Sequence, residues 1–277
     1  MSLDGVLLVD KPAGVTSHDV VAAERRRLAA SAGERESGGG RPKVGHAGTL
    51  DPFATGLLLV LVGRATRAQR YLMALPKRYE TLARLGCTST TGDVDGEIAA
   101  GRMPPEPLAL PTGRIRQRPP AYSALRVEGR RAYALARAGE PVQLSEREVD
   151  VQRFELLWRA GDRAAFAIDC GSGTYVRALI SDLGDAYCLE LRRTGIGPFD
   201  VADAGRFLGL SDALAFLPAV ELAADDAKRA GHGVAIRAGA GEARAGGTVR
   251  LLDGDGLIAL AEPRADGTLK PVVGFRG

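Results

Sequence analysis

The stretch Gly45–Gly63, GHAGTLDPFATGLLLVLVG, carries three local signals at once. Gly45 and Gly48 permit backbone angles that other residues avoid. A histidine, His46, and an aspartate, Asp51, lie five residues apart, and an apolar run follows the Asp–Pro step. Residue 51 precedes proline, which pushes it out of the α region. Asp is a favoured N-cap, Pro a favoured first helical residue, and Gly63 a suitable residue beyond a helix end. These preferences predict a helix from Pro52 to about Val62, with the charge of Asp51 favoured at its N-terminus. The competing reading is a strand, because LLLVLV is β-compatible. Locally Asp51 reads as a cap; making it the centre of an active site needs residues from elsewhere in the chain.

Working outward, VLLVDKP reads as a short buried strand ending at Pro12. Ser17 is a suitable N-cap, with Asp19 in the first turn of a helix running to about Ala30. SAGERESGGGRPK, residues 31–43, has loop composition and predicts no regular structure. Residues 78–87 predict a strand, TSTTGDVDGE a turn-rich loop, residues 101–113 a proline-rich irregular segment and residues 132–138 a short helix. Residues 149–170 read as two strands joined at 159–162. GTYVRALISDLGDAY reads as a helix with an apolar stripe at Val176, Leu179, Ile180 and Leu183. Beyond Leu217–Pro218 the texture changes to GTVRLL, GLIALAE and PVVGF, short strands separated by glycine turns, as in a small β-barrel. The fold class is α+β.

The chain has 277 residues, 45% hydrophobic and 26% charged, which suits one large and one small globular domain. No run approaches the roughly 20 apolar residues of a membrane span, and MSLDGVLLVDKP lacks the basic start and cleavage site of a secretory signal. Cys87, Cys170 and Cys188 form no C-x-x-C pair and only three histidines are present, so neither a zinc site nor a disulfide framework is expected; free thiols in a reducing cytoplasm are. The net charge is only +3. The positive charge is concentrated: residues 114–147 hold eight arginines against three glutamates, whereas residues 218–277 balance eight basic against eight acidic. No P-loop, dinucleotide fingerprint or metal motif is present, and no cofactor is expected. Asp93 and Asp95 do not complete a calcium loop; a turn touching RNA or a basic pocket residue is the better reading.

Five segments, in order, resemble the bacterial tRNA pseudouridine synthase B family: VDKPAGVTSHDV, GHAGTLDPFATGLLLVLVGRATR, KRYETLARLGCTSTTGDVDGE, RPPAYSALRVEGRRAYALARAGE, and CGSGTYVRALISDLG with LRRTGIGPF. They span about residues 5–200. The resemblance implies a pseudouridine synthase domain over 1–217, built on a long mixed or antiparallel sheet. It also implies a thumb-like RNA-binding insertion at about 116–145 and a PUA-like domain over 218–277. It implies isomerisation of uridine 55 in the T-loop of tRNA by a cytoplasmic monomer that uses no guide RNA, no membrane and no cofactor. The chemistry agrees: exchanging a C–N for a C–C glycosidic bond involves no net redox change and asks for one ionised carboxylate.

On this resemblance Asp51 is the catalytic aspartate, and Arg177 is its ion-pair partner, able to aim it by two hydrogen bonds. Tyr79 stacks on the displaced uracil, and its hydroxyl is placed to help remove the carbon-5 proton. His46 fills the space left by the flipped base. Leu191 lines the pocket, and Lys11 supports it or touches phosphate. Tyr122, Arg126, Arg130 and Arg131 grip the T-arm, with the acceptor stem reaching the C-terminal domain. Two departures stand out. Residues 31–43 are longer than the family pattern, and GDAYCLELRRTG is several residues short, leaving open whether Leu189 or Leu191 faces the pocket.

Overall fold

The computed structural model describes residues 3–33, 43–127, 129–237 and 247–276. The larger part is built from β1 (Gly5–Lys11), β2 (Val44–Ala47), β3 (Thr55–Val62) and β4 (Lys77–Leu85). These are followed by the hairpin β5 (Cys87–Ser89) and β6 (Ile98–Ala100), by β7 (Gly113–Gln117), and by the hairpin β8 (Arg126–Val127) and β9 (Arg130–Arg131). Then come β10 (Arg147–Ala160), β11 (Arg163–Cys170), β12 (Ala186–Ile196), β13 (Phe199–Asp200) and β14 (Phe207–Gly209). Ten strands form one sheet in the order β14-β1-β3-β12-β4-β11-β10-β7, with β2 beside β3 and β13 beside β12. Its pairings are antiparallel except where β12 meets β3, Arg192 opposite Thr55 and Arg193 opposite Gly56. The helices of this part are α1 (Ser17–Gly33), α2 (Gln69–Ala74), α3 (Ala132–Arg137), α4 (Val176–Ser181) and α5 (Leu210–Ala213).

The expected helix over Pro52–Val62 is instead strand β3, and Asp51 caps no helix. Residues Leu57 to Leu61 are all at 0% exposure. Leu57, Leu59 and Leu61 pack with Val6, Leu8 and Leu72 on one side. Leu58, Val60 and Val62 pack with Leu7, Val20 and Leu28, beneath α1, on the other. An alternating division between two cores is a strand's periodicity, and a strand covered on both faces is apolar throughout. Each such side chain contributes about 2 kcal/mol on burial, and that outweighs the preference of an Asp–Pro step for a helix start. Gly56, at φ +102°, is required where β12 passes: a Cβ there would meet the Arg193 carbonyl oxygen at 2.2 Å.

Helix α1 begins where expected, but Thr16 rather than Ser17 caps it. The Asp19 amide donates to Thr16 Oγ1 at 3.1 Å, and Asp19 Oδ2 accepts from the Thr16 amide and hydroxyl at 2.8 and 2.7 Å, a capping box. The helix continues through Gly33, past the expected end at Ala30; the rest of the expected loop, residues 34–42, lies outside the described residues. The helix expected over residues 173–187 is shorter. It stops at Ser181, and after Gly184 (φ +128°) the chain turns and pairs residues 186–196 with β4. The apolar stripe holds: Val176, Leu179, Ile180 and Leu183 are all buried in one core with Phe154, Phe166 and Ile168. The two strands over 149–170, the short helix at 132–137 and the irregular segment near 101–112 form as expected.

After residue 217, β15 (Ala219–Glu221), β16 (Ile236–Arg237), β17 (Val249–Asp253), β18 (Gly256–Pro263) and β19 (Thr268–Gly274) make a five-stranded sheet in the order β15-β17-β18-β19-β16. Helix α6 (Ala224–Gly231) packs on it through Ala227 and Ala230. The three glycine-separated segments supply β17, β18 and β19. Leu257 and Leu260 of this sheet, with Phe275 just beyond β19, enter the same core as Val6, Leu8 and Leu59 of the large one. Across that seam Arg67 Nη1 donates to the Gly274 carbonyl at 2.7 Å, and Arg250 Nε donates to the Leu217 carbonyl at 2.9 Å.

Candidate active site

The parallel β3–β12 junction leaves the loop 48–54 at the end of two central strands, and neighbouring elements grip that loop residue by residue. Arg193 on β12 donates from Nη2 to the Gly48 carbonyl at 3.1 Å, from Nη1 to that of Thr49 at 3.5 Å and from Nε to that of Leu57 at 2.7 Å. Ser17, the first residue of α1, accepts from the Leu50 amide at 2.9 Å and donates to the Leu50 carbonyl at 3.2 Å. Lys11, at the end of β1, donates to the carbonyls of Pro12 and Val15 at 2.9 Å and of Pro52 at 3.2 Å. The Gly14 amide also donates to the Pro52 carbonyl, at 2.8 Å. Asp51 is thereby held between fixed neighbours on both sides.

Its partner is Arg177 on α4. The guanidinium Nε donates to Asp51 Oδ2 at 2.8 Å, Nη2 donates to the Tyr122 carbonyl at 2.7 Å, and Nη1 donates to the Thr91 carbonyl. Nη1 also lies 3.4 Å from Asp93 Oδ2. Asp93 is buried, and its Oδ1 accepts from the Asp95 amide at 3.1 Å and from the Thr91 hydroxyl. The turn-rich loop therefore does touch a basic pocket residue, and its buried carboxylate is a second counter-ion for Arg177. The Arg177 side chain is 3% exposed whereas that of Asp51 keeps 32%. The arginine is a buried fixture, and the carboxylate is reachable. Burial pushes the Asp51 carboxyl above the usual carboxylate range, while the charge and hydrogen bond of Arg177 pull it down and Asp93 adds a smaller push upward. The helix dipole expected to favour its ionised form is absent; Arg177 takes that part.

Asp51 and Arg177 open into a cleft of about 870 Å³ whose walls include His18, Thr91, Asp95, Tyr122, Arg131 and Tyr133. Tyr122 and Arg131, on the segment between β7 and β10, thus share this cleft with the Asp51 loop, and the Tyr122 carbonyl is bonded to Arg177 itself. Leu191 is buried in one core with Leu50 and Ala54, and Tyr79 packs against the same core. Leu189, beside a bulge in β12 between Cys188 and Glu190, lies outside that core, and neither Leu189 nor Leu191 lines the Asp51 cleft. Tyr79 stands directly opposite Arg193 across the β12–β4 ladder, and burial pushes its phenol up against the opposing influence of Arg193.

His46 lies on β2 behind this cleft, its ring edge-on to that of His18 with centroids 5.4 Å apart. Burial lowers its pKa to about 4, helped by the charges of His18 and Arg193, so it is neutral at pH 7. Its Nδ1 is buried and finds no hydrogen-bond partner among the described residues. Lys11 is fully buried with its donors on three carbonyls, an arrangement that supports the pocket. Arg126 and Arg130 do not line the cleft. Arg126 donates to the Gly129 carbonyl at 3.4 Å, and Arg130 forks onto Glu140 at 2.9 and 2.8 Å. Among the described residues no group of three or more His, Cys, Asp or Glu is placed to hold a metal ion. Ser17 has the sequence context of a helix cap, and Arg193 belongs to no chemical motif. Neither has a local signature, because both act on a loop more than 30 residues away in sequence.

Residues 36–176 match the family model described as "TruB family pseudouridylate synthase (N terminal domain)". Among curated proteins, the chain is 42% identical over 308 residues to "tRNA pseudouridine synthase B" of Thermobifida fusca, covering 99% of each chain. It is 39% identical to the protein of the same name from Pseudomonas syringae pv. syringae, covering 98% of this chain and 95% of that one. Among solved structures it is similar to a chain of "a Cbf5-Nop10-Gar1 Complex", with 27% identity, a TM-score of 0.65, and coverage of 94% of this chain and 78% of that one. A chain of an "H/ACA RNP bound to a substrate RNA containing 2'-deoxyuridine" shares the fold, at 24% identity and a TM-score of 0.67 over 99% of this chain and 86% of that one. With a family model matched over half its length and a relative aligned end to end, the chain belongs to the TruB family and is a pseudouridine synthase.

Proposed function

We propose that this chain converts uridine 55 in the T-loop of tRNA to pseudouridine, acting alone, without guide RNA or cofactor. The observation that carries the reading is the ion pair of a reachable Asp51 with a buried Arg177, on a loop pinned from both sides. The N1–C1′ bond breaks, the C5–C1′ bond forms, the proton leaves C5 and one is taken up at N1. Nothing is oxidised or reduced. Asp51 is the group that attacks C1′, attacks base C6, or takes a proton on a glycal route. Arg177 fixes its aim and charge. Tyr79 stacks on the uracil and helps take the C5 proton, Leu191 closes the pocket, and His46 holds the place of the flipped base. Residues 116–145 act as a thumb, with Tyr122 and Arg131 at the cleft and Arg126 and Arg130 on its outer side, where the net charge of the segment attracts phosphate. The parts 1–217 and 218–277 are the catalytic and PUA-like domains, and the second takes the acceptor stem. The protein works as a cytoplasmic monomer.

The test is purified protein with an unmodified tRNA transcript, followed by mass-spectrometric mapping of pseudouridine. One pseudouridine at the T-loop position, with no other component added, supports the reading. Product that appears only when a guide RNA is supplied would make the chain a guide-RNA-dependent synthase instead. tRNA binding with no product under either condition would make it a binding protein.

A further inference from the structure

Arg193 is 1% exposed and is the largest fully buried side chain among the described residues. Among the described residues no carboxylate lies within ion-pair distance of it. A buried guanidinium without a counter-ion costs several kcal/mol, and an apolar residue of similar volume would serve a core better. What it has instead is a position that joins three parts of the site. Its side chain spans the carbonyls of Gly48 and Thr49, which begin the loop that bears Asp51, and of Leu57 in the strand that follows it. Its backbone makes the parallel junction with Gly56. Its cross-strand neighbour is Tyr79, and directly opposed residues of an antiparallel pair share a face.

We propose that Arg193 is a positioning residue: bonded to the start of the Asp51 loop and to the strand that follows it, and opposed to Tyr79, it holds the carboxylate and the phenol in one fixed relation on either side of the uracil. This rests on the roles given above to Asp51 and Tyr79. The absence of a carboxylate partner fits the task. A counter-ion would draw the guanidinium's donors away from the carbonyls, whereas carbonyls alone leave its position dictated by the loop it holds. The rigid fork matters as much as the charge, because a lysine presents a single point where arginine presents spread donors in a plane.

Arg193→Lys and Arg193→Gln, in the full chain, test this by single-turnover isomerisation of unmodified tRNA, tRNA affinity and circular dichroism. Misplacement of a reacting group by about 1 Å costs on the order of a hundredfold in rate. The expected result is a kcat about a hundredfold down in Arg193→Gln and about tenfold down in Arg193→Lys, with tRNA Kd within about threefold of the parent. A wild-type kcat in folded Arg193→Gln overturns the proposal, as does a loss confined to Kd. Loss of the folded state in both variants also overturns it, by assigning Arg193 to the core alone. If the parent protein itself makes no pseudouridine, it is the functional reading that fails, and the two failures are distinguishable.

Discussion

The loop that carries Asp51 and the segment between β7 and β10 are built on opposite principles. In the loop, buried side chains reach in from β1, α1 and β12 to the carbonyls or amides of Gly48, Thr49, Leu50 and Pro52. In the segment, the regular elements are two residues long in each of β8 and β9 and six in α3. Its arginines there bond locally to Gly129, Ala124 and Glu140. The first is a rigid mount for one carboxylate. The second is a charged surface with little regular structure, and its Tyr122 carbonyl bonds Arg177, the partner of Asp51. Chemistry needs fixed geometry, whereas a grip on a polyanion needs charge over an area, and the two regions divide those demands.

That division is most exposed to test at Arg177. Replacing it with Gln leaves Asp51 partly buried and unpaired, and breaking such a pair costs about 3–5 kcal/mol. Carried into the transition state this is a rate loss on the order of a thousandfold, with tRNA affinity changed little. The same variant has a pH signature. Arg177 holds the Asp51 carboxyl down against burial, so its removal lets the carboxyl rise further and protonate at higher pH. The acid limb of the rate profile then moves upward; an unmoved limb would mean that the pair does not control the ionisation of Asp51.

A smaller effect is expected at His46, also on the mounted side. Its pKa is about 4 in the folded chain against an ordinary 6.5. Between those values the unfolded chain binds a proton that the folded chain refuses, so the contribution of His46 to stability is full above pH 6.5 and lost as pH falls toward 4. Melting temperatures measured over that range should fall more steeply for the parent than for His46→Gln. Parallel curves would place the ring in a more solvated site than the fold gives it.

The smallest effect belongs to the segment between β7 and β10. Arg131 lines the cleft with no carboxylate within ion-pair distance among the described residues, whereas Arg130 is neutralised by Glu140. Arg131→Ala should lower the slope of log Kd against log salt by about one, and Arg130→Ala by less. Equal changes would show that the Glu140 pair does not persist in solution.

Much of this was legible in the sequence, and the misses follow a pattern. Three of the five strands of the C-terminal sheet, the pair β10–β11 and the meeting of Asp51 with Arg177 follow from the sequence. The first two are local patterns, and the last came through resemblance. The run Leu57–Val62 was misread because Asp–Pro and a terminal glycine are local helix signals. Its true state depends on β1, β2 and β12, none of which the run itself encodes. Ser17 has the same lesson in miniature: its hydroxyl looks like a cap because caps are near in sequence, yet its partner is Leu50. Arg193 could not be found by local pattern, since a buried cation bonded to distant carbonyls has no motif of its own.

The central claim is that Asp51, aimed by the mount around it, does the chemistry. Asp51→Asn keeps the side chain's shape and removes its charge. With uridine labelled by tritium at carbon 5 in tRNA, the parent protein should release tritium, and Asp51→Asn should bind the tRNA about as tightly and release none. Release at the parent's rate from a folded Asp51→Asn protein would contradict the account.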